Sequence, residues 1–118
     1  MVPLMLPSNR IEVHEYLDRN GHSPFAVWSD HLDREAAAKV ASALARIQQG
    51  NFSNAKGVGT GVYEYRIDFG PGYRIYFGKD GARLIILLCG GTKKRQQNDI
   101  AMALTRWEDY KLRKGTKR

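Results

Sequence analysis

Apolar and polar positions along the first half of the chain predict one strand and two helices. Residues 9–17 alternate apolar and polar side chains, which favours a strand. Ser23 and Pro24 then mark a helix start, because serine caps helix N-termini and proline fits the first helical position. Asp33 can cap a second helix that ends near Gln49. Its apolar stripe is Ala36, Val40, Leu44 and Ile47.

The second half of the chain predicts three strands and a final helix. Residues 51–61 indicate a loop by composition. The strands are expected within 61–70, 72–78 and 82–90, with tight turns between them. The 82–90 segment is nearly all apolar, so we expect it to be the central strand, covered on both faces. The helix is expected from about Lys94 to Arg113.

This order of elements predicts a single α+β domain over residues 1–118, with 1–9 and 114–118 as flexible tails. The join between the first two helices is short, so we expect them to form an antiparallel hairpin over one face of a curved antiparallel sheet. We expect Tyr65, Ile67, Ile75 and Ile86 to pack under these helices, and the other face of the sheet to be open.

Charge is distributed unevenly. The chain carries 19 Lys and Arg against 12 Asp and Glu, a net charge of +7, and most of the excess follows residue 92. Such clustering suits a polyanion or an acidic protein partner, or it is a solvated basic helix and tail. The sequence has no apolar run of membrane-spanning length, and residues 1–9 make a poor signal peptide. With Cys89 as the single cysteine, we expect a cytoplasmic protein.

The open face of the sheet is a candidate binding surface. Strand alternation places Glu64, Arg66 and Asp68 on one face, next to Arg74 and Tyr76 of the following strand. The arginines could hold a phosphodiester chain, and Tyr76 could stack on a base. The alternative is a set of surface ion pairs on a solvated face, which is common in antiparallel sheets.

A second candidate lies where the last strand meets the last helix. The run Gly90-Gly91-Thr92-Lys93-Lys94-Arg95 would place cations at a positive helix terminus, with Thr92 as the cap. A bound anion would relieve that repulsion. Because the strand of Arg74 is expected next to the strand that leads into Lys93 and Lys94, these three cations can converge on one phosphate. Alternatively, the cationic side chains point into water. We find no metal-ligand spacing, phosphate loop or catalytic triad, so no metal or cofactor is expected. Catalysis by such a chain would suit RNA, whose 2′-hydroxyl is an internal nucleophile.

Two motifs resemble a known family. The turn Gly-Pro-Gly-Tyr-Arg at 70–74 and the pattern G-G-x-K-x-x-Q-x-x-D-I at 90–100 resemble the HigB-type addiction module killer proteins of the RelE/ParE toxin superfamily, in the phage-derived Gp49-like branch. The resemblance covers roughly residues 10–113. It implies a RelE-like fold and a toxin of a type II toxin–antitoxin system that cuts mRNA on the ribosome without a metal. It also implies a helix-turn-helix antitoxin as partner, with operator DNA bound only through the antitoxin complex.

The resemblance also implies functional residues. Arg74 corresponds to an arginine that contacts the scissile phosphate, and Lys93 and Lys94 to a cationic pair. Arg66 and Glu64 fall where the family has cations, and the RNA-binding set is completed by Tyr76 and Arg95. The tyrosine or histidine that often transfers protons is missing, which leaves Asp99 as the nearest carboxylate and Tyr76 as another candidate base. Alternatively, Asp99 braces the start of the last helix by pairing with the lysines. Two alternatives stay open: a ParE-like DNA gyrase inhibitor, and a non-toxic module that binds antitoxin and operator.

Overall fold

The computed structural model of the chain describes residues 10–116. In chain order the elements are β1 (Glu12–Glu15), α1 (Pro24–Asp30), α2 (Arg34–Gln48), β2 (Ala55–Gly59), β3 (Val62–Ile67), β4 (Tyr73–Lys79), β5 (Leu84–Thr92), a 3₁₀ turn (Lys93–Arg95) and α3 (Gln96–Thr116).

The five strands form one sheet in the order β1-β5-β4-β3-β2. β3, β4 and β5 are consecutive antiparallel neighbours, as the sequence predicts, whereas β1 pairs with β5 in parallel. The central strand is therefore β4, and the expectation that the 82–90 strand is central was wrong. β5 is nevertheless an interior strand with buried side chains on both faces, because β1 covers its other edge.

Residues 51–61 do not form only a loop, because they contain the edge strand β2. Its sequence, Ala-Lys-Gly-Val-Gly, has few of the side chains that favour strands. Pairing with β3 supplies the order instead, from Ala55 opposite Tyr65 to Gly57 opposite Tyr63. Backbone hydrogen bonding to a neighbour thus overrides a composition that is typical of loops.

Both predicted helix starts are present. The Ser23 hydroxyl accepts a hydrogen bond from the Ala26 amide at 3.0 Å, with Pro24 at the first helical position. The Asp33 carboxylate accepts one from the Ala36 amide at 2.9 Å. These caps satisfy amides that have no partner inside the helix. α1 packs against β5 and α2 against β3, and the expected hairpin between the two helices is not confirmed.

Helices cover both faces of the sheet, so the expectation of one open face was wrong. α1 and α2 share one core with inward side chains that include Tyr65, Ile67 and Ile75. α3 covers the other face, where it packs on Val62, Tyr76, Ile86, Leu88 and Cys89. We expected Ile86 to pack beneath the first core's helices with Ile75, but it lies under α3. A register shift in the β4–β5 ladder turns both Leu88 and Cys89 toward α3.

Trp107 anchors α3 to the sheet. A Cβ on Gly78 of β4 would lie 2.3 Å from the Trp107 ring, so only glycine allows this approach. The helix also runs further than predicted: Lys114 is helical and its Nζ lies 2.6 Å from the Asp80 carboxylate. Residues 114–116 are thus not a loose tail, whereas the expected tail at 1–9 and positions 117–118 lie outside the described residues. In the described part of the chain, no helix combines the length and apolarity needed to cross a bilayer.

Candidate functional site

A cationic cleft of about 610 Å³ opens at the end of the sheet where β3 ends and β4 begins. It is lined by Ser53, Asn54, Ala55, Lys56, Arg66, Ile67, Asp68, Gly72, Arg74 and Lys93. The cleft brings together three of the residues that the sequence singles out, namely Arg66, Arg74 and Lys93. These residues come from two different strands and the turn after a third.

Strand register explains this convergence. Arg66 of β3 is the direct partner of Arg74 on β4, and Arg74 is the partner of Gly91 on β5. Because β5 ends at Thr92, one residue after Gly91, Lys93 lies next to the start of β4. Gly72 has a φ of +78°, and a Cβ there would lie 3.1 Å from Arg74 Nη1 and 3.3 Å from Lys93 Cβ. A glycine at this turn therefore lets the two cations approach the backbone closely.

Arg74 is held from two sides and is only 6% exposed. Its Nη1 donates a hydrogen bond to the Gly72 carbonyl at 2.8 Å. Its Nε is buried without a hydrogen bond and lies 3.5 Å from the Glu64 carboxylate. The guanidinium thus has a defined position, and little side-chain entropy is left for it to lose if an anion binds.

Glu64 is fully buried beneath the cleft. Its Oε2 accepts hydrogen bonds from Gln96 Nε2 at 2.8 Å and from the Tyr76 hydroxyl at 3.0 Å, and its Oε1 accepts one from Arg66 Nε at 3.3 Å. Burial alone would raise the pKa of Glu64. The hydrogen bonds from Gln96, Tyr76 and Arg66, together with the charge of Arg74, outweigh burial and lower that pKa. Glu64 is therefore a carboxylate at neutral pH.

The structure corrects the prediction for Tyr76. The ring is 0% exposed because α3 covers it, so it does not present a face on which a base could stack. Its hydroxyl donates to Glu64 instead. Burial, followed by the charge of Glu64, raises the pKa of Tyr76 above its ordinary range. Strand alternation placed this side chain on the correct face, but it could not show that a helix lies over that face.

Asp99 and Arg95 line a second cleft, of about 650 Å³, between α1 and α3. The Asp99 carboxylate occupies the space that a Cβ on Gly91 would take, and its Oδ2 is buried without a hydrogen bond. Burial raises the pKa of Asp99, although Arg95 and Arg106 partly oppose the shift. The nearest ion pair is with Arg95 at 4.0 Å, not with the lysines. The structure thus places Asp99 apart from the set that lines the cationic cleft.

The predicted helix cap at Thr92 is also corrected. Thr92 is still in the β5 ladder, opposite Tyr73, and its side chain makes no capping hydrogen bond. The three cations that follow form an exposed 3₁₀ turn that precedes α3. Lys93 lines the cationic cleft and Arg95 the second one, whereas Lys94 is not among the residues that line either. The turn thus distributes its cations over more than one surface.

Sequence reasoning missed one charged residue of the cationic cleft, Lys56, because it lies in β2 and the composition of that segment predicted a loop. Alternation within β3 placed Asp68 on the face of Arg66, where the sequence offered it only as a member of surface ion pairs. Pairing of β2 with β3 brings Lys56 opposite Glu64, a register that the sequence does not encode locally.

Four cations and one accessible carboxylate thus meet in one cleft of the described structure: Lys56, Arg66, Arg74 and Lys93 with Asp68. Such a set can bind phosphate oxygens at several points and leaves one carboxylate to accept a proton. Among residues 10–116, no group of three His, Cys, Asp or Glu side chains could hold a metal ion. The fold and the cleft define a small α+β protein with a cationic cleft at the end of its sheet.

Comparison with known proteins identifies the family. Residues 27–116 match the model of the phage-derived Gp49-like proteins, and the chain belongs to this RelE/toxin-like family. An uncharacterised protein of Haemophilus influenzae (strain Rd) is 44% identical over 80 residues, which are 67% of this chain and 81% of that protein. Residues 27–116, which match the family model, include all residues that line the cationic cleft, from Ser53 to Lys93.

Proposed function

We propose that this protein is the toxin of a type II toxin–antitoxin pair and that it inhibits translation as a ribosome-dependent mRNA endoribonuclease. The observation that carries the proposal is the convergence of Lys56, Arg66, Arg74 and Lys93 on one cleft. Membership of a RelE/toxin-like family supports it. The cognate partner would be a helix-turn-helix antitoxin, and operator DNA would be bound through the complex of the two proteins.

In the proposed reaction, the RNA's own 2′-hydroxyl attacks the adjacent phosphate and displaces the 5′-oxygen of the next nucleotide. A 2′,3′-cyclic phosphate forms, and the leaving 5′-oxygen takes up a proton from water. Arg74 and Lys93 stabilise the negative charge that develops on the phosphate. Arg66 and Lys56 bind neighbouring phosphates and set the register of the strand. In this proposal Asp68 accepts the 2′-hydroxyl proton, since it is the carboxylate among the residues that line the cleft. The ribosome would present the mRNA to the cleft.

Transcript end-mapping after induction of the chain tests this proposal. We expect new 5′ ends at fixed positions within codons of translated mRNA, and their loss when translation initiation is blocked beforehand. Intact transcripts together with double-strand DNA breaks would overturn the proposal in favour of a gyrase inhibitor. Normal growth with neither lesion would overturn it in favour of a non-toxic module that binds antitoxin and operator.

A further inference from the structure

Three hydrogen-bond donors and the guanidinium of Arg74 converge on the carboxylate of Glu64, which is 0% exposed. Arg66 binds one carboxylate oxygen, whereas Tyr76, Gln96 and Arg74 face the other. These donors come from three elements, because Gln96 is the first residue of α3 and the others lie on β3 and β4. Glu64 therefore ties the cleft-forming strands to the helix that covers them.

The same contacts exclude Glu64 as the group that takes a proton from the substrate. Both of its oxygens already accept hydrogen bonds, and no part of the residue reaches the surface. A general base must lie within hydrogen-bond distance of the proton that it removes. A function for this buried charge therefore has to act through its neighbours.

Glu64 has two such neighbours in the cleft. Arg66 and Arg74 are direct partners across the β3–β4 ladder, and like charges that lie opposite each other destabilise a sheet. The carboxylate lies 3.3 Å from Arg66 Nε and 3.5 Å from Arg74 Nε, so it offsets this repulsion. The Gly72 carbonyl holds the other end of the Arg74 guanidinium at 2.8 Å. Arg74 is thus fixed between two acceptors.

We propose that Glu64 is a positioning residue that holds Arg66 and Arg74 together in the cationic cleft, oriented for the phosphate of the scissile bond. The proposal rests on the ribonuclease function proposed above. In this role Glu64 acts through the two arginines and never contacts the substrate. The role also explains why an acidic residue lies beneath a site that binds an anion.

Glu64→Gln is the informative substitution, because it keeps the size of the side chain and removes its charge. The amide retains one acceptor oxygen and turns an NH₂ group toward donors, so part of the network must open. We expect single-turnover cleavage of mRNA on programmed ribosomes to fall roughly 10- to 100-fold, the effect of misplacing a catalytic group by about 1 Å. RNA affinity should stay equal or increase, because the cleft becomes more positive.

Three outcomes would overturn the proposal. Cleavage within twofold of the parent would show that the charge is not needed. A parallel loss of RNA affinity and cleavage would show a collapsed cleft, not a misplaced arginine. Loss of the acidic limb of the pH–rate profile would show that Glu64 is itself the base. The matched control is Glu108→Gln, a carboxylate on the exposed surface of α3 that pairs with Lys111 and should leave cleavage unchanged.

A double-mutant cycle tests whether Glu64 acts through Arg74. In an Arg74→Ala background, Glu64→Gln should cause little further loss of cleavage, and fully additive losses would contradict the proposal. Gln96→Ala is the second variant if Glu64→Gln folds poorly, because it removes one donor to Glu64 without altering any charge. It should reduce cleavage by a smaller factor with unchanged RNA affinity, and full activity would count against the network.

A readout independent of activity separates this proposal from the ribonuclease assignment. In the isotope-labelled full chain, the buried Nε–H of Arg74 should give a resolved NMR signal at neutral pH. That signal should shift and broaden in Glu64→Gln as the guanidinium is released. An unchanged signal would overturn the positioning role, even if the parent cuts mRNA. If the parent cuts no mRNA, the ribonuclease assignment fails, and the NMR signal alone decides whether Glu64 positions Arg74.

Discussion

Replacement of Arg74 by alanine is the sharpest test of the cationic cleft. The substitution removes the cation that is best fixed in position, with one bond to the Gly72 carbonyl and one ion pair to Glu64. Losing a donor that stabilises transition-state charge typically costs about 3 kcal/mol, or two to three decades in rate. We therefore expect Arg74→Ala to abolish growth arrest. Arg74→Lys should restore it only in part, because lysine cannot make two parallel hydrogen bonds to one phosphate.

The contacts of Arg74 also indicate how much the free energy of unfolding should fall in Arg74→Ala. Arg74 is one of the charges that compensate buried Glu64, but Gln96, Tyr76 and Arg66 still donate to that carboxylate when Arg74 is absent. We therefore expect a loss of about 1–3 kcal/mol, less than for a buried ion left without any partner. The variant should stay folded, and a thermal melt of the purified protein checks this.

The assay compares colony formation and mRNA end-mapping at matched expression. Arg46→Ala is the control, because Arg46 is an exposed cation in the last turn of α2, is not among the residues that line the cleft, and carries the same charge. It should arrest growth like the parent. If Arg74→Ala folds and is as toxic as the parent, the assignment of the site is wrong and the gyrase-inhibitor alternative moves ahead.

Three further predictions concern packing, titration and binding. Gly78→Ala should lower Tm by several degrees, because its Cβ would lie 2.3 Å from the Trp107 ring and overpacking typically costs about 1–3 kcal/mol; Gly57→Ala, with its nearest contact at 3.7 Å, should not. Burial raises the pKa of Asp99, so its charged form destabilises the fold at pH 7 and Asp99→Asn should raise Tm there. That gain should shrink as the pH falls toward the ordinary range of an aspartate, because the raised pKa lets the folded carboxyl take up its proton first, and a gain independent of pH would contradict the reasoning. Lys56→Ala should weaken RNA binding and reduce the dependence of log Kd on log salt by about 0.7, measured by fluorescence anisotropy, and an unchanged slope would remove Lys56 from the interface.

Local signals in the sequence determined most elements of this fold, β2 excepted. The caps at Ser23 and Asp33 predicted the starts of α1 and α2, because a cap depends on side chains only a few residues away. Period-two alternation predicted β3 and β4 and the face on which Glu64 and Arg66 lie. The connection from β5 into Lys93 likewise placed this lysine near Arg74, since antiparallel neighbours bring those chain ends together.

Only the tertiary structure decided which of these side chains share a site. β2 is ordered by its pairing with β3, so Lys56 could not be located from its own segment. α3 lies across the second face of the sheet, which buries Tyr76 and turns Glu64 from a surface acid into an acceptor for several donors. Asp99 also lies on α3, and the position of this helix places it in the second cleft. Burial and long-range strand pairing depend on how the elements pack, and packing is determined by residues that are far apart in the chain. Helix caps and strand alternation, in contrast, depend on residues only a few positions apart.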